Sequence, residues 1–204
     1  MTNEKFSYFD YVKDEKFIES YNDYQARYAE QIRESDKVII SMITEIVERS
    51  GGGPLRVLDI GCSTGNLLLH LKNMVPGPEY VGGDLAESSL KACSENPSLG
   101  GIAFHKMDVL KLDGTERYDI IIANAVAVYF TWEEYRRCLK SVANALTPGG
   151  SYIAFEWVHP FDCQDLTIYE TSIGHPEGIR ICFRPMRRVH EEATAAGFAE
   201  LSFH

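Results

Sequence analysis

The stretch VLDIGCSTGN, residues 57–66, decides the fold of this chain. Residues 56–60 form a short apolar run that predicts a buried strand, Gly61 and Gly65 bound a tight loop, and residues 66–73 have a helical pattern with leucines on one face. A glycine loop between a first strand and a helix lets a ligand approach the backbone closely. A second strand, over 80–83, ends in Asp84, whose carboxylate can bind both hydroxyls of a ribose. Together the two features predict a nucleoside-binding site.

Strands and helices alternate along the rest of the chain. We predict strands over 102–107, 118–123 and 152–157, and helices over 88–94 and from the capping box Thr131–Glu134 onward. The turn PGG, residues 148–150, precedes the fifth strand. This rhythm predicts a doubly wound, mostly parallel α/β sheet of the Rossmann-like type, with helices on both faces.

Two segments flank or interrupt this pattern. Residues 1–50 predict an N-terminal helical cap or lid, in which Ile39, Met42, Ile43, Ile46 and Val47 share one helix face. SGGGP, residues 50–54, is a flexible joint, and the cofactor-binding domain follows over 51–204. Within it, residues 159–184 break the rhythm and predict an inserted loop or hairpin, with β-like runs around Ile168 and Ile181. Such loops commonly form the substrate side of α/β sites.

Composition narrows the classes of function. The net charge of −10 argues against a nucleic-acid backbone as partner, because that binding depends on clustered Lys and Arg. The N-terminus has no apolar signal-peptide region, and the longest apolar run, over 120–130, is too short to span a bilayer. The five scattered cysteines predict reduced thiols in a cytoplasmic protein. The six histidines show no metal-ligand spacing, so we expect no metal, and nothing predicts an oligomeric state.

The glycine spacing separates two kinds of nucleoside ligand. Dinucleotide loops need G-x-G-x-x-G so that a pyrophosphate sits on the helix N-terminus. Here three residues separate Gly61 from Gly65, which does not match that pattern. A ligand without phosphate is therefore favoured over a nicotinamide dinucleotide.

From residue 56 to about 155 the sequence resembles the class I S-adenosylmethionine-dependent methyltransferases of the small-molecule type. VLDIGCSTGN resembles their first motif, Asp84 their ribose-binding acid, and MDV at 107–109 the segment after their third strand. Residues 118–129 match the fourth motif, and LTPGGS at 146–151 matches the turn before the fifth strand. One position departs from the pattern, because Ser63 stands where glycine is common. Serine can fit there without strain if its φ is negative.

The resemblance implies S-adenosylmethionine as cofactor and suggests a role for each contact. Asp59 would organise the loop near the cofactor amine, and Asn124 would lie beside the methionyl part. Asp84 would bind the ribose, while Asp108 would bind the adenine amino group and its neighbour would pack the ring. Tyr28 and Arg33, in a segment that resembles the family's cofactor cap, would reach the methionyl carboxylate, although Arg33 could equally be a solvated surface residue. The implied cofactor-binding residues are Tyr28, Arg33, Asp59, Gly61, Cys62, Ser63, Gly65, Asp84, Leu85, Asp108, Val109 and Asn124.

The acceptor side is less defined. The fourth motif lacks the N/D-P-P-Y/F pattern of enzymes that methylate planar amide or base nitrogens, which favours a small-molecule acceptor at oxygen, nitrogen or carbon. Glu156, His159 and Tyr129 are the candidates for the catalytic acceptor pocket. The alternative function is a catalytically silent cofactor-binding module that serves as a partner or regulatory subunit.

The end of the chain raises a question of strand number. Sheets of the resembled class usually have seven strands, the last being antiparallel and inserted beside the fifth. Residues 199–204 predict a sixth strand, and nothing remains for the seventh. Either the run over 179–183 substitutes for it, or the natural protein is longer than this chain; we favour the second, because the chain stops without a polar tail.

Overall fold

A five-stranded parallel sheet forms the centre of the computed structural model, which describes residues 12, 14–161, 165–171 and 179–204. The strand order is β3-β2-β1-β4-β5, so the order reverses between β1 and β4, and ligands bind at the carboxyl edge beside such a reversal. The strands are β1 (Arg56–Ile60), β2 (Glu79–Asp84), β3 (Ala103–Lys106), β4 (Tyr118–Asn124) and β5 (Leu146–Phe155). The predicted doubly wound sheet is confirmed.

Six described helices surround this sheet. They are α1 (Glu15–Ala26), α2 (Glu34–Arg49), α3 (Asn66–Met74), α4 (Glu87–Glu95), α5 (Trp132–Ala145) and α6 (Met186–Ala196). One core contains the apolar faces of α2 and α3, and the other those of α5 and α6. The capping box at Thr131 and Glu134 is present at the start of α5, as predicted.

A smaller sheet lies beyond β5, in the segment for which the sequence predicts an inserted loop or hairpin. It consists of β6 (Val158–His159), β7 (Leu166–Glu170) and β8 (Ile179–Pro185), in the order β6-β8-β7. The pair β7–β8 is antiparallel, whereas β8 runs parallel to β6. Because β8 belongs to this second sheet, residues 179–183 do not take the place of a strand beside β5.

Two strand predictions are wrong. The fifth strand begins at Leu146 rather than at 152, and residues 147–150 bulge out of register between the pairs Tyr118–Leu146 and Ile120–Ser151. Residues 199–204 form no strand, since no described strand lies beyond β5 in the sheet to pair with them. A strand needs such a partner for its backbone groups.

Several other predictions can be placed on the structure. Cys62, Cys93, Cys138 and Cys182 are free thiols, as expected, whereas Cys163 lies outside the described residues. The early aromatic residues of the predicted lid, within 1–11, also lie outside them. In the described ranges, no helix is long and apolar enough to cross a membrane.

Candidate functional site

The glycine loop after β1 holds a tight conformation that needs small residues. Gly61 and Gly65 have φ of 76° and 77°, in the left-handed region that favours glycine. A Cβ at Gly61 would lie 2.5 Å from Val126 Cγ2, and one at Gly65 would lie 2.8 Å from Leu99 Cδ1. The amides of Gly61 and Cys62 both donate to Gly83 O, at 2.7 and 3.1 Å. The loop is thus fixed against the end of β2.

Ser63 corrects one expectation from the sequence. Its φ is 50°, not negative, so the serine occupies the conformation that glycine would adopt without strain. In this position its amide donates to Asp84 Oδ2 at 2.9 Å, and its carbonyl accepts a bond from Cys93 Sγ at 3.0 Å. The strained residue therefore connects the first loop to the second strand.

Asp84 stands at the carboxyl end of β2, where the sequence predicted a ribose ligand. Its two oxygens accept backbone bonds from Ser63 and from Ala86, the latter at 2.8 Å. Burial raises the pKa of Asp84, and these amide bonds oppose the rise. The neighbouring Leu85 is half-buried. The carboxylate is held in one orientation at the edge of the sheet.

Asp59 carries a buried carboxylate oxygen that has no hydrogen-bond partner among the described residues. The residue is 2% exposed, and its Oδ1 has no hydrogen-bond partner in the described part of the chain. Burial, followed by the charges of Asp36 and Asp84, raises its pKa to about 8. A buried acceptor among carboxylates suits a cationic ligand, because burying a polar atom without a partner is costly.

Asp36 is a site residue that the sequence analysis missed. It lies on α2 with 2% exposure and accepts a bond from Asn124 Nδ2 at 2.8 Å, while Asn124 ends β4. A signal was present, because Asp36 shares helix spacing with the buried Ile39, Ile40 and Ile43. A carboxylate on the buried face of a helix needs a polar partner, which only the fold identifies.

Arg33 and Tyr28 contact each other, and their proposed reach to the methionyl carboxylate stays a prediction. The Arg33 guanidinium lies 4.3 Å from the Tyr28 ring centroid and donates through Nη2 to the buried Gln25. Its Nε is buried without a hydrogen-bond partner among the described residues. Tyr21, also missed, lies near enough for the charges of Arg33, Asp84 and Asp36 to influence its pKa, which burial raises. Arg33 is therefore not a solvated surface residue.

Asp108 and Val109 follow β3. Asp108 is 8% exposed and caps a short 3₁₀ helix over 109–111 by accepting a bond from Leu110 N at 2.9 Å. Val109 is buried in the hydrophobic core that includes α5. The adenine contacts of these two residues stay predictions.

Glu156 lies in a buried ion pair that the sequence did not reveal. Its Oε2 is 3.7 Å from Arg184 Nη1, and the two side chains are 6% and 1% exposed. Arg184 also donates to Phe130 O at 2.6 Å and lies 4.4 Å from the Tyr135 ring centroid. Burial raises the pKa of Glu156 to about 7, against the opposing effects of Arg184 and Tyr135. No local pattern marks Arg184, because its partners are distant in sequence.

The other two acceptor candidates occupy different surroundings. His159 is 5% exposed, its ring stacks at 5.9 Å on Phe161, and neither ring nitrogen has a hydrogen-bond partner in the described chain. Tyr129 is half-buried, and its carbonyl accepts a bond from Arg180 Nη2 at 3.0 Å. Glu156, His159 and Tyr129 thus have different described neighbours: Arg184, Phe161 and Arg180, respectively. The described residues also contain no group of three or more metal ligands.

The fold and site define an α/β domain built for a nucleoside cofactor. Residues 57–150 match the family model described as "Methyltransferase domain", which covers the loop, Asp84, Asp108 and the bulge at the start of β5. Over these residues the chain is therefore similar to a methyltransferase domain, in agreement with the resemblance to the class I, S-adenosylmethionine-dependent enzymes.

Comparison with known proteins agrees with this assignment. The chain is 27% identical over 116 residues, 56% of its length, to a malonyl-[acyl-carrier protein] O-methyltransferase of Bacillus anthracis, of which it covers 42%. It is 31% identical over 115 residues, 52% of its length, to a demethylmenaquinone methyltransferase of Thermus thermophilus, of which it covers 49%. The chain thus matches less than half the length of these relatives.

A solved structure of low identity shares the fold. The glycopeptide N-methyltransferase MtfA in complex with S-adenosylmethionine superposes with a TM-score of 0.59 at 18% identity. The superposition covers 80% of this chain and 84% of MtfA. At that identity the likeness supports the architecture alone.

Proposed function

We propose that this protein transfers a methyl group from S-adenosylmethionine to a small-molecule acceptor. The observation that carries the proposal is a pair of buried atoms, Asp59 Oδ1 and Arg33 Nε, that have no hydrogen-bond partner among the described residues. One is an acceptor and the other a cationic donor, which fits the ammonium and the carboxylate of an amino-acid group. S-Adenosylmethionine carries such a group together with a nucleoside, for which the glycine loop and Asp84 are suited.

Each part of the carboxyl edge has a role in this proposal. Asp84 accepts bonds from the ribose hydroxyls, and Asp108 accepts one from the adenine amino group beside Val109. Asp59 and Asn124 face the ammonium, while Arg33 and Tyr28 hold the carboxylate. Cys62 and Ser63 contribute loop backbone between the two glycines.

The bound cofactor supplies a methyl group that its sulfonium already activates. The chain then has to hold the acceptor in line and exclude water, and orientation alone can contribute roughly 7–11 kcal/mol. His159 is the candidate for moving a proton, because its buried ring nitrogens have no hydrogen-bond partner in the described part of the chain. Glu156 and Tyr129 complete the proposed acceptor side. Because Glu156 is paired with Arg184, its carboxylate is a better candidate for supporting the acceptor side than for moving the proton itself.

The relatives differ in their acceptors, so they support no single one for this chain. Their names refer to malonyl-[acyl-carrier protein], demethylmenaquinone and trans-aconitate, which differ in size. We propose acceptance at oxygen, nitrogen or carbon, in the cytoplasm and without a nucleic-acid or membrane partner. The net charge of −10 supports the exclusion of nucleic acid.

Calorimetry with S-adenosylmethionine, S-adenosylhomocysteine and NAD tests the cofactor site. We expect the first two to bind and NAD not to bind. Asp84→Ala should weaken S-adenosylhomocysteine binding by about 1.5–3 kcal/mol, as for hydrogen bonds to a charged group. Glu79→Gln, at the exposed opposite end of β2, is the matched control and should bind normally. Unchanged affinity in a folded Asp84→Ala variant contradicts the ribose assignment.

Turnover with a panel of carboxylic acids, phenols, amines and activated-carbon acceptors tests the reaction. His159→Asn and Glu156→Gln test these two candidates separately. Substitution of the residue that moves the proton should lower kcat by about 10²–10⁴-fold. Binding of the cofactor without methylation of any acceptor class would contradict the enzymatic part of the proposal.

A further inference from the structure

The contact between Asp36 and Asn124 brings helix α2 to the carboxyl edge of the sheet, where the cofactor is proposed to bind. Asp36 lies in the first turn of α2, three residues after Arg33, and its Oδ1 accepts from Asn124 Nδ2 at 2.8 Å. Asn124 is the last residue of β4, which pairs with β1 through Asp59 and Ile122. The contact therefore joins α2 to the two strands at the reversal of strand order.

This contact fixes the orientation of the Asn124 carboxamide. The Asp36 oxygen accepts the bond from Asn124 Nδ2, so the amide nitrogen and not the amide oxygen faces Asp36. The Asn124 oxygen then faces away from Asp36. Asp59 Oδ1 has no hydrogen-bond partner among the described residues. Together, the Asn124 oxygen and Asp59 Oδ1 give the site two acceptors for an ammonium group, which has three donors.

Asp36 also adds charge to the site. Its carboxylate and that of Asp84 both act on Asp59, whose pKa they raise in addition to burial. Buried charges interact strongly over short distances, because little water screens them. S-Adenosylmethionine bears a sulfonium cation, whereas its product S-adenosylhomocysteine bears a neutral thioether.

On the basis of the proposed function, we infer that Asp36 is a positioning residue with two separable effects. Its hydrogen bond turns the Asn124 oxygen toward the ammonium of the cofactor, which strengthens cofactor and product binding alike. Its charge favours the cationic cofactor over the neutral product, which helps the product to leave after transfer.

Two substitutions at one position separate these effects. Asp36→Asn keeps an acceptor oxygen for Asn124 but removes the charge, whereas Asp36→Leu removes both. We expect Asp36→Asn to lower the ratio of S-adenosylmethionine to S-adenosylhomocysteine affinity by about threefold to tenfold, from the Coulomb energy of one buried charge. Asp36→Leu should lower the ratio equally and also weaken both ligands. Glu45→Gln, exposed on the same helix, should change neither quantity.

A third variant tests the orientation without altering Asp36. Asn124→Ala should weaken both ligands and leave their affinity ratio unchanged, and it provides an independent measurement if an Asp36 variant fails to fold. An unchanged ratio in folded Asp36→Asn, or unchanged binding in Asn124→Ala, overturns the corresponding effect. If the unmodified protein binds neither ligand, the proposed function itself fails, which distinguishes the two failures.

Discussion

Ser63 shows how a single residue can carry strain at a binding loop. Its φ of 50° costs an L-residue about 1–2 kcal/mol relative to glycine. We expect Ser63→Gly to raise the free energy of unfolding by roughly 0.5–1 kcal/mol, since the greater freedom of glycine in the unfolded chain offsets part of the gain. Urea unfolding measures this change. Ser63→Ala keeps the Cβ and should bring no comparable gain; equal stability of the Gly and Ala variants would refute the strain.

Asp59 predicts a pH dependence of stability. Its pKa is raised from 3.8 to about 8, so between these values the folded state binds a proton that the unfolded state has lost. The free energy of unfolding must therefore fall as the pH rises from about 4 to about 8. Asp59→Asn should reduce this fall, as measured by urea unfolding at pH 5 and pH 8 without ligand. Glu156 titrates in the same direction, so only the difference between variant and parent is diagnostic.

At the residue scale, the sequence identified the groups that strand ends bring together. Asp59 and Asp84 could be predicted because parallel strands end at one edge of the sheet. The φ of Ser63 was mispredicted, since a backbone angle depends on what the loop contacts. Asp36 was missed because its partner is 88 residues away in sequence.

Strand β8 is tied to the domain through Arg184. The side chain is 1% exposed and contacts both Glu156 and the Phe130 carbonyl. We expect Arg184→Met to cost about 3–5 kcal/mol at pH 8, because it leaves a buried carboxylate without its counterion. The double variant Arg184→Met/Glu156→Leu should recover much of this loss in urea unfolding. A double variant no more stable than the single one would show that the ion pair is not the cause.

At the element scale, the strand and helix pattern predicted the central sheet and the hairpin. It could not predict the start of β5, because PGG at 148–150 is a typical turn signal that here bulges within a paired strand. It also overpredicted a strand over 199–204, where the residue pattern was suitable but no neighbouring strand is available. Pairing across a sheet is a property of the fold and not of the local sequence.

At the scale of the whole molecule, we expect ligand binding to slow hydrogen exchange in the N-terminal helices. Helix α1 and the turn after it contact the domain by polar bonds, Gln25 O with Asn66 Nδ2 at 2.6 Å and Asn22 with Ser89 at 3.0 Å. Bound S-adenosylhomocysteine should add contacts through Tyr28 and Arg33, and lids of this kind exclude water. We expect slower hydrogen exchange over residues 15–33 with the ligand and no change in α5. Equal exchange in both states would contradict a lid.

The pairing of β6 with β8 has a consequence for how such a protein can evolve. Because Val158–His159 lies in register with Arg184–Pro185, the chain departs and returns at adjacent points. This pairing fixes the distance between the two ends of the intervening segment. The free-energy cost of closing that segment grows only slowly with its length. The segment over residues 160–183 can then be replaced during evolution by a homologous segment of different length or sequence. In the proposed function, such an exchange would alter the acceptor side and leave Asp59 and Asp84 in place.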